Sequence, residues 1–560
     1  MEKTIYFGCF KLPKRIKPLT KNRKMKRKLF LALSAALLST GLMAGGIMTN
    51  SNQSASYARM LARNASLGID AVYYNPAGLT KLGKGFYLSL NNQSIFQTKD
   101  VTNNYKYLNG TPDAKYTGIV KAPVFPGVYA VYSLDKFAFS FGFNPVGGGG
   151  GAKYDTGLPS FEMGVADLVP SLASKGVNKY KMDASLEGTS VFFGYQGGVS
   201  YKINEMISVF AGVRYVTAKN TYVGHLSGIE LYNFGGGGTW TAAHSIMSGF
   251  ATSAGTAKAG TSALVNGGAG AYTLAQARAA NIITPETQAA LEGALTAFGS
   301  NKDVSINVAN AIFAGAEAKY KGAAVILSDQ SVDNEQTGSS ITPVFGVNLS
   351  PSKQLNIGIK YELATKIELT NKTTKDFTTG FTTAGVPITM FPDGIKTRSD
   401  MPALLAIGTS YDVTEKFKAS LSYIYYFDKS ADYGKKNSAG EAVKNADIID
   451  KNYFELALGL EYSITDKFMV SGGYLHSQTG VSNAYQSDLS YSLTSNSGAI
   501  GGQYKITPGI AVNLGALVTK YNKSDRTFSH TLGTTSIPVT ENLAKTTWLM
   551  SIGLDIKIGK

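Results

Sequence analysis

The 560-residue chain has one cysteine, four histidines and two tryptophans, and only 16% of its residues are charged. The cysteine, Cys9, lies in the first 44 residues, so neither a disulfide framework nor a thiolate metal site can form in the rest of the chain. His225, His244, His476 and His530 are scattered, and none shares the i, i+4 spacing that a helical metal site requires. No Gly-x-Ser-x-Gly elbow occurs. The run Gly147 to Gly151 is followed by Ala152-Lys153-Tyr154 rather than Gly-Lys-Ser/Thr, which excludes a phosphate loop. No catalytic residue, cofactor or metal is therefore expected. His476, beside Ser477, is the position on which a hydrolase would have to rest.

Long apolar runs are also missing after the leader, which removes helical membrane spans. The formal charge of +16 suggests nucleic acid at first sight, but its distribution excludes that partner. Residues 1–44 carry eleven Lys or Arg against Glu2 alone, and without them 43 basic residues face 37 acidic ones. That leader has the parts of a secretory signal. Lys24, Lys26, Arg27 and Lys28 form a basic start, Leu29 to Met43 an apolar run, and Ala44, Gly45 and Gly46 a small-residue cleavage region. Met25 opens the motif, so residues 25–44 are the expected signal within a leader of 1–44.

What the chain has in quantity is glycine (62), tyrosine (32) and phenylalanine (27), the composition of strands and turns. Period-2 alternation recurs. Phe137, Phe139, Phe141 and Phe143 alternate with Ala138, Ser140 and Gly142, and Trp548, Met550, Ile552 and Leu554 with Ser551, Gly553 and Asp555. Six short connections rich in Asp, Asn, Pro or Gly join such segments, at 133–137, 203–207, 349–353, 413–417, 464–468 and 506–510. Six turns join twelve strands. One more strand from Phe86 to Gln97 and a last one from Thr546 to Gly559 make fourteen, an even number with both termini at one end. The other connections, roughly at 98–124, 146–184, 225–335, 370–400, 428–451, 479–489 and 522–545, are long and uneven, as in an outer-membrane barrel.

The fold expected is therefore all-β: a closed 14-stranded antiparallel transmembrane β-barrel over 85–560. Its third long loop, 225–335, is expected to be partly helical. Thr284-Pro285-Glu286 reads as a helix start and Gly299 as a stop, with Leu291, Leu295 and Phe298 on one face; Tyr272 to Ala280 and Val308 to Ala316 are further helices. In the third strand, Asn144, Pro145, Gly147 and Gly148 should weaken the ladder, because proline lacks a donor and glycine lowers strand stability. Either a flexible loop start or a sideways opening in the wall would result.

Near the expected mature terminus the sequence reads Asp70-Ala71-Val72-Tyr73-Tyr74-Asn75-Pro76-Ala77-Gly78-Leu79. This resembles the N-terminal plug and Asn-Pro-Ala signature of the FadL/TodX family of outer-membrane transporters for hydrophobic compounds. Asn356 to Glu362, Met401 to Val413 and Tyr423 to Asp428 also resemble strands of that family. The resemblance implies a plug, or hatch, over 45–84 with Asn75, Pro76 and Ala77 as its signature, and an exit at the third-strand kink. It further implies hydrophobic small molecules, long-chain fatty acids or related lipids, as partners, and residence among outer-membrane lipid. For a ligand carboxylate the candidate contacts are Arg59 and Arg63 in the plug and Arg214 and Lys360 on strands; each could equally be an ordinary pore-wall charge. An open porin, a surface adhesin using the third loop and a barrel hydrolase are the competing functions.

Overall fold

Each of the six short connections reverses the chain between two antiparallel strands. The computed structural model describes residues 47–382, 384–435 and 442–558; the leader, its cleavage region, Cys9 and Met25 lie outside them. The wall strands are β1 Gly85–Asn103, β2 Ala114–Ser133, β3 Phe137–Tyr154, β4 Lys179–Lys202, β5 Ile207–Tyr232, β6 Gln330–Leu349 and β7 Leu355–Glu362. They continue with β8 Leu404–Asp412, β9 Phe417–Tyr426, β10 Tyr453–Ser463, β11 Phe468–Gln478, β12 Ser495–Thr507, β13 Ile510–Tyr521 and β14 Thr535–Ile558. The sheet closes where β1 meets β14, from Phe86 opposite Ile558 to Asn103 opposite Glu541, giving a closed 14-strand antiparallel barrel. Closure leaves no exposed sheet edge.

The side-chain alternation is turned inside out relative to a soluble sandwich. Phe137, Phe139, Phe141, Trp548, Met550 and Ile552 are exposed on the outer wall, while Ala138 and Ser140 face in and are buried. Tyr132, Tyr201, Tyr411, Tyr462, Phe468 and Tyr504 gather on the outside near the short turns, where an aromatic girdle meets a membrane interface. An apolar exterior over a ring of paired strands is the surface of a membrane-spanning barrel.

Several strands run past the boundaries that alternation suggested. The connection read as 98–124 shrinks to 104–113, and the one read as 522–545 is mostly a β-hairpin in which Ser524–Leu532 pairs with β14. Outside the membrane nothing requires an apolar face, so polar strand extensions such as Ser-Asp-Arg-Thr-Phe-Ser-His-Thr-Leu leave no alternation to read.

The helices that matter are α1 Ala55–Met60 and α2 Ala71–Tyr74 within the barrel, α3 Pro159–Ala166 at its mouth, and four in the third long loop. Those four are α4 Ala243–Leu264, α5 Leu274–Ala279, α6 Pro285–Ala297 and α7 Ile306–Ile326, which share a core built on Leu274, Leu295, Ile306 and Phe313. Helix α6 begins as read: the Thr284 hydroxyl accepts from the Thr287 N–H, Pro285 is at the first turn and Gly299 comes after it at φ +74°. Helix α4 was not foreseen. It is rich in Ser, Thr, Gly and Ala, weak formers apart from alanine, and is held by packing on α7, where Lys258 pairs with Glu317 and Thr261 with Asn310.

Candidate functional site

A barrel of fourteen strands has a lumen too wide for its own side chains to fill. Residues 47–82 fill part of it, and nearly all of them are buried. Helix α1 is capped by the Ser54 hydroxyl, which accepts from the Tyr57 N–H, and ends at Leu61 with φ 64°. It lies flat against β10 to β13 because the wall there presents glycine. A β-carbon at Gly515 would stand 2.8 Å from the Ala58 carbonyl carbon, and one at Gly459 2.6 Å from the Met60 carbonyl oxygen; at Gly473 it would collide with that oxygen outright. Gly358 and Gly408 make the same room for Asn64. These wall glycines thus serve close approach of plug to wall.

The Asn-Pro-Ala segment is anchored on β4 to β7. The Asn75 amide donates to the Asn348 side chain (2.7 Å) and to the Ser66 carbonyl (3.1 Å). Ser200 donates to the Pro76 carbonyl and Ser208 to the Ala77 carbonyl, at 2.6 and 2.7 Å, while the Ala77 methyl packs between Phe210 and Val344. Lys360 donates to the Tyr73 carbonyl and sits 4.2 Å above its ring.

Every one of the four cations considered for a ligand carboxylate holds a carboxylate of the protein instead. Arg59 bonds Glu461 at 2.7 Å, Arg63 grips both oxygens of Asp70, and Arg214 and Lys360 share Glu362. Around Asp70, burial opposes ionisation, but Arg63 and the hydroxyls of Ser66 and Ser54 outweigh it and hold the carboxyl below its usual range. Arg63–Asp70 fastens the plug to itself and Arg59–Glu461 fastens it to the wall, while Arg214, Lys360 and Glu362 pair within the wall.

The opposite flank of the plug meets β3. There the ladder from β3 to β2 stops at Phe143 opposite Val128 and resumes only at Lys153 opposite Ile119, while the β4 side stays paired with two register shifts. Pro145 removes a donor on β3, and Pro123 and Pro126 remove two on β2, a signal that sequence reading passed over. Gly148 has φ +92°, where a β-carbon would strike the Ser190 carbonyl. The interrupted stretch of β3 pairs instead with the plug: Asn50 N–H donates to the Val146 carbonyl (2.9 Å) and Gly148 N–H to the Met48 carbonyl (3.2 Å). Gln53 donates to the Pro145 carbonyl and accepts from Asn144. At Gly147 a side chain would exclude the Met48 carbonyl. The Tyr73 and Tyr74 hydroxyls donate to the carbonyls of Asn50 and Ser51, so the two anchored flanks of the plug are one hydrogen-bonded unit.

His476 and Ser477 do not form a pair. They alternate on β11: Ser477 faces the lumen and donates to Glu455, while His476 lies on the outer face against Asn496.

Among solved structures the chain is similar to a Pseudomonas aeruginosa FadL homologue, with a TM-score of 0.56 and 14% identity over 92% of this chain and 100% of that one. The chain has the FadL-type fold. It also aligns with the P. putida toluene transporter TodX (12% identity, 88% and 95% of the two chains, TM-score 0.46). A third structure, the Ralstonia pickettii toluene transporter TbuX, aligns at 15% identity over 88% and 94%, TM-score 0.45. No family model and no curated protein matches the sequence. Within the FadL-type fold, the mouth carries an apolar crevice between Phe161, Val165, Leu226, Ile326 and Phe377. On the turn side of the plug a polar cavity of about 270 Å³ is bordered by Arg63, Ser66, Lys418 and Glu461.

Proposed function

We propose that this chain, exported and cleaved after its leader, is a passive outer-membrane transporter for hydrophobic molecules, with long-chain fatty acids or related lipids as its substrate class. The observation that carries the reading is the interrupted β2–β3 ladder whose free β3 backbone is occupied by plug residues 48–53. A wall opening closed by a separate, displaceable segment suits a solute that leaves sideways into the membrane. The apolar crevice at the mouth suits its capture, since each methylene moved from water to an apolar surface gains about 0.8 kcal/mol. Hatch movement at Asn75, Pro76 and Ala77 would then release residues 48–53 from Asn144, Pro145, Gly147 and Gly148. The filled lumen speaks against an open porin, and the separation of His476 from Ser477 against a hydrolase at that position.

The test is uptake of labelled long-chain fatty acid by a deletion strain, with and without the gene restored, alongside mass spectrometry of molecules retained by the purified barrel. Restored uptake and a retained acyl compound are the expected results. Uptake unchanged by deletion for every apolar substrate tried would sink the proposal.

A further inference from the structure

Helix α3 borders the apolar crevice at the barrel mouth through Phe161 and Val165, and Phe161 packs edge-on against Phe377. The crevice itself has a volume of about 20 Å³, room for about one water and none for an acyl chain. Capture of a solute there therefore requires α3 to move. Carboxylates hold the helix at three points. Near its middle, Glu162 accepts from the hydroxyls of Tyr116 and Tyr180. At its first turn, Asp488 from the loop between β11 and β12 accepts from the Ser160 N–H at 2.8 Å. Just past its last turn, Asp167 accepts from the Tyr105 hydroxyl at 2.6 Å and meets His530 Nε2 at 2.9 and 3.0 Å.

At both ends of α3 the carboxylate faces a second group that can change charge. Histidine does so within about pH 5 to 8, and His530, on the strand Ser524–Leu532, has Asp167 in front of it and the Tyr105 ring 4.8 Å away. Beside Asp488 stands Glu541, buried on the hairpin part of β14, where Thr540, Asn542 and Thr546 face outward and the wall has left its apolar belt. Burial and the Asp488 charge push the Glu541 carboxyl up to about 7, against the opposing pull of Arg526 and Asn103. Tyr116, Tyr154 and Tyr491 also face Asp488, and burial keeps these phenols neutral. The signs at the two ends agree. In mild acid a charged His530 grips Asp167 through a charge-assisted bond, and a protonated Glu541 leaves Asp488 to hold the positive end of the helix. As pH rises, the first contact loses its charge and the second gains a repelling neighbour that Arg526 offsets only in part. Both ends loosen, with Glu162 left as a pivot. We propose that α3 is a pH-sensitive lid on the crevice, seated in mild acid by His530 and Asp488 and released toward alkaline pH, so that hydrophobic solutes enter faster as external pH rises. This lid rests on the transporter reading and adds control of its capture step.

Two measurements keep lid and transport apart. In the full mature chain in nanodiscs, spin labels on Ser171→Cys, exposed just beyond α3, and Lys353→Cys, exposed on a short turn, report the distance from lid to barrel. Its distribution should be narrow at about pH 5.5 and broaden at about pH 8.5. In a deletion strain carrying the restored gene, uptake of labelled hexadecanol, whose own charge is constant, should rise about fivefold over the same interval, the weight of about one charged contact. His530→Arg combined with Glu541→Gln should keep the distribution narrow at both pH values and hold uptake at its acid level. A distance in acid equal to that of wild type shows that this variant is folded. A distribution indifferent to pH in wild type, or uptake that rises equally in the locked variant, overturns the lid and leaves transport standing. Hexadecanol uptake no higher than that of the deletion strain at either pH, with α3 moving as expected, overturns the transporter reading and the capture role of the lid with it.

Discussion

At the scale of single residues the plug is held by buried ion pairs rather than by apolar contact alone, and Asp70 is the clearest case. It accepts from Arg63 at 2.7 and 2.9 Å and from the hydroxyls of Ser54 and Ser66, all within residues 54–70. Removing its charge would leave Arg63 buried without a counter-ion, which costs roughly 3–5 kcal/mol for such pairs. Asp70→Asn is therefore expected to lower unfolding stability by that order, read from denaturant titration of the purified barrel. The pH dependence has a fixed sign. A carboxyl held below its usual value stabilises fully above about pH 4 and loses that contribution as pH falls through its lowered value. Wild type should thus lose plug stability in acid, and Asp70→Asn should lack that part of the loss. Sequence reading reached the residues Arg59, Arg63, Arg214 and Lys360 but not their partners. Glu461 becomes a partner of Arg59 only through plug docking and Glu362 of Arg214 only through strand register, which no spacing in the chain encodes, while Asp70 meets Arg63 through the local fold of the plug.

At the scale of elements, β3 and the segment 48–53 behave as two halves of one joint. If displacement of that segment opens the wall, tethering it should stop transport without touching the barrel. Gln53 and Asn144 are in direct hydrogen-bond contact, and Cys9, in the leader, is the chain's single cysteine, so Gln53→Cys with Asn144→Cys gives a defined thiol pair. Joined by a short reducible cross-linker, the pair should bring fatty-acid uptake down to the background of the deletion strain, and a reductant should restore it. Uptake that continues through the cross-linked protein would mean that the opening is elsewhere or that the segment does not move. The strands either side of this joint show why some elements were legible and others not. Turns such as 464–468 announce themselves because Asp466 and Lys467 interrupt an alternation imposed by the membrane. The break in the ladder is built from features split across two strands, Pro123 and Pro126 on β2 against Pro145 and the glycines on β3. Only the β3 half was conspicuous. Helix α4 had no signal of its own, since its Ser- and Gly-rich sequence forms a helix through contact with α7.

At the scale of the whole molecule, the decisive quantity is how much of the lumen the chain itself occupies. Closing fourteen strands spaced about 4.8 Å apart at the usual tilt gives a backbone radius of roughly 14 Å. Such a ring encloses a water-filled passage unless something else enters it. Here residues 47–82 enter from one end, and inward-folded loops bring Met390, Phe391, Met401, Tyr433, Tyr485 and Tyr491 into the same buried core. The inner wall beneath the plug is polar once uncovered, since Glu461, Arg214, Lys360 and Glu362 all point inward. Removing residues 47–82 should therefore convert a closed barrel into an open aqueous pore, with wall glycines and charges now in contact with solvent. In planar bilayers the mature chain is expected to show little ion conductance, and the deletion variant stable openings of porin size. A mature chain that already conducts like a porin would contradict the closed lumen and return the open-pore function to first place. A deletion variant that assembles as a barrel yet stays closed would shift the seal from the plug to the inward-folded loops, and with it the segment whose movement the proposed transport requires.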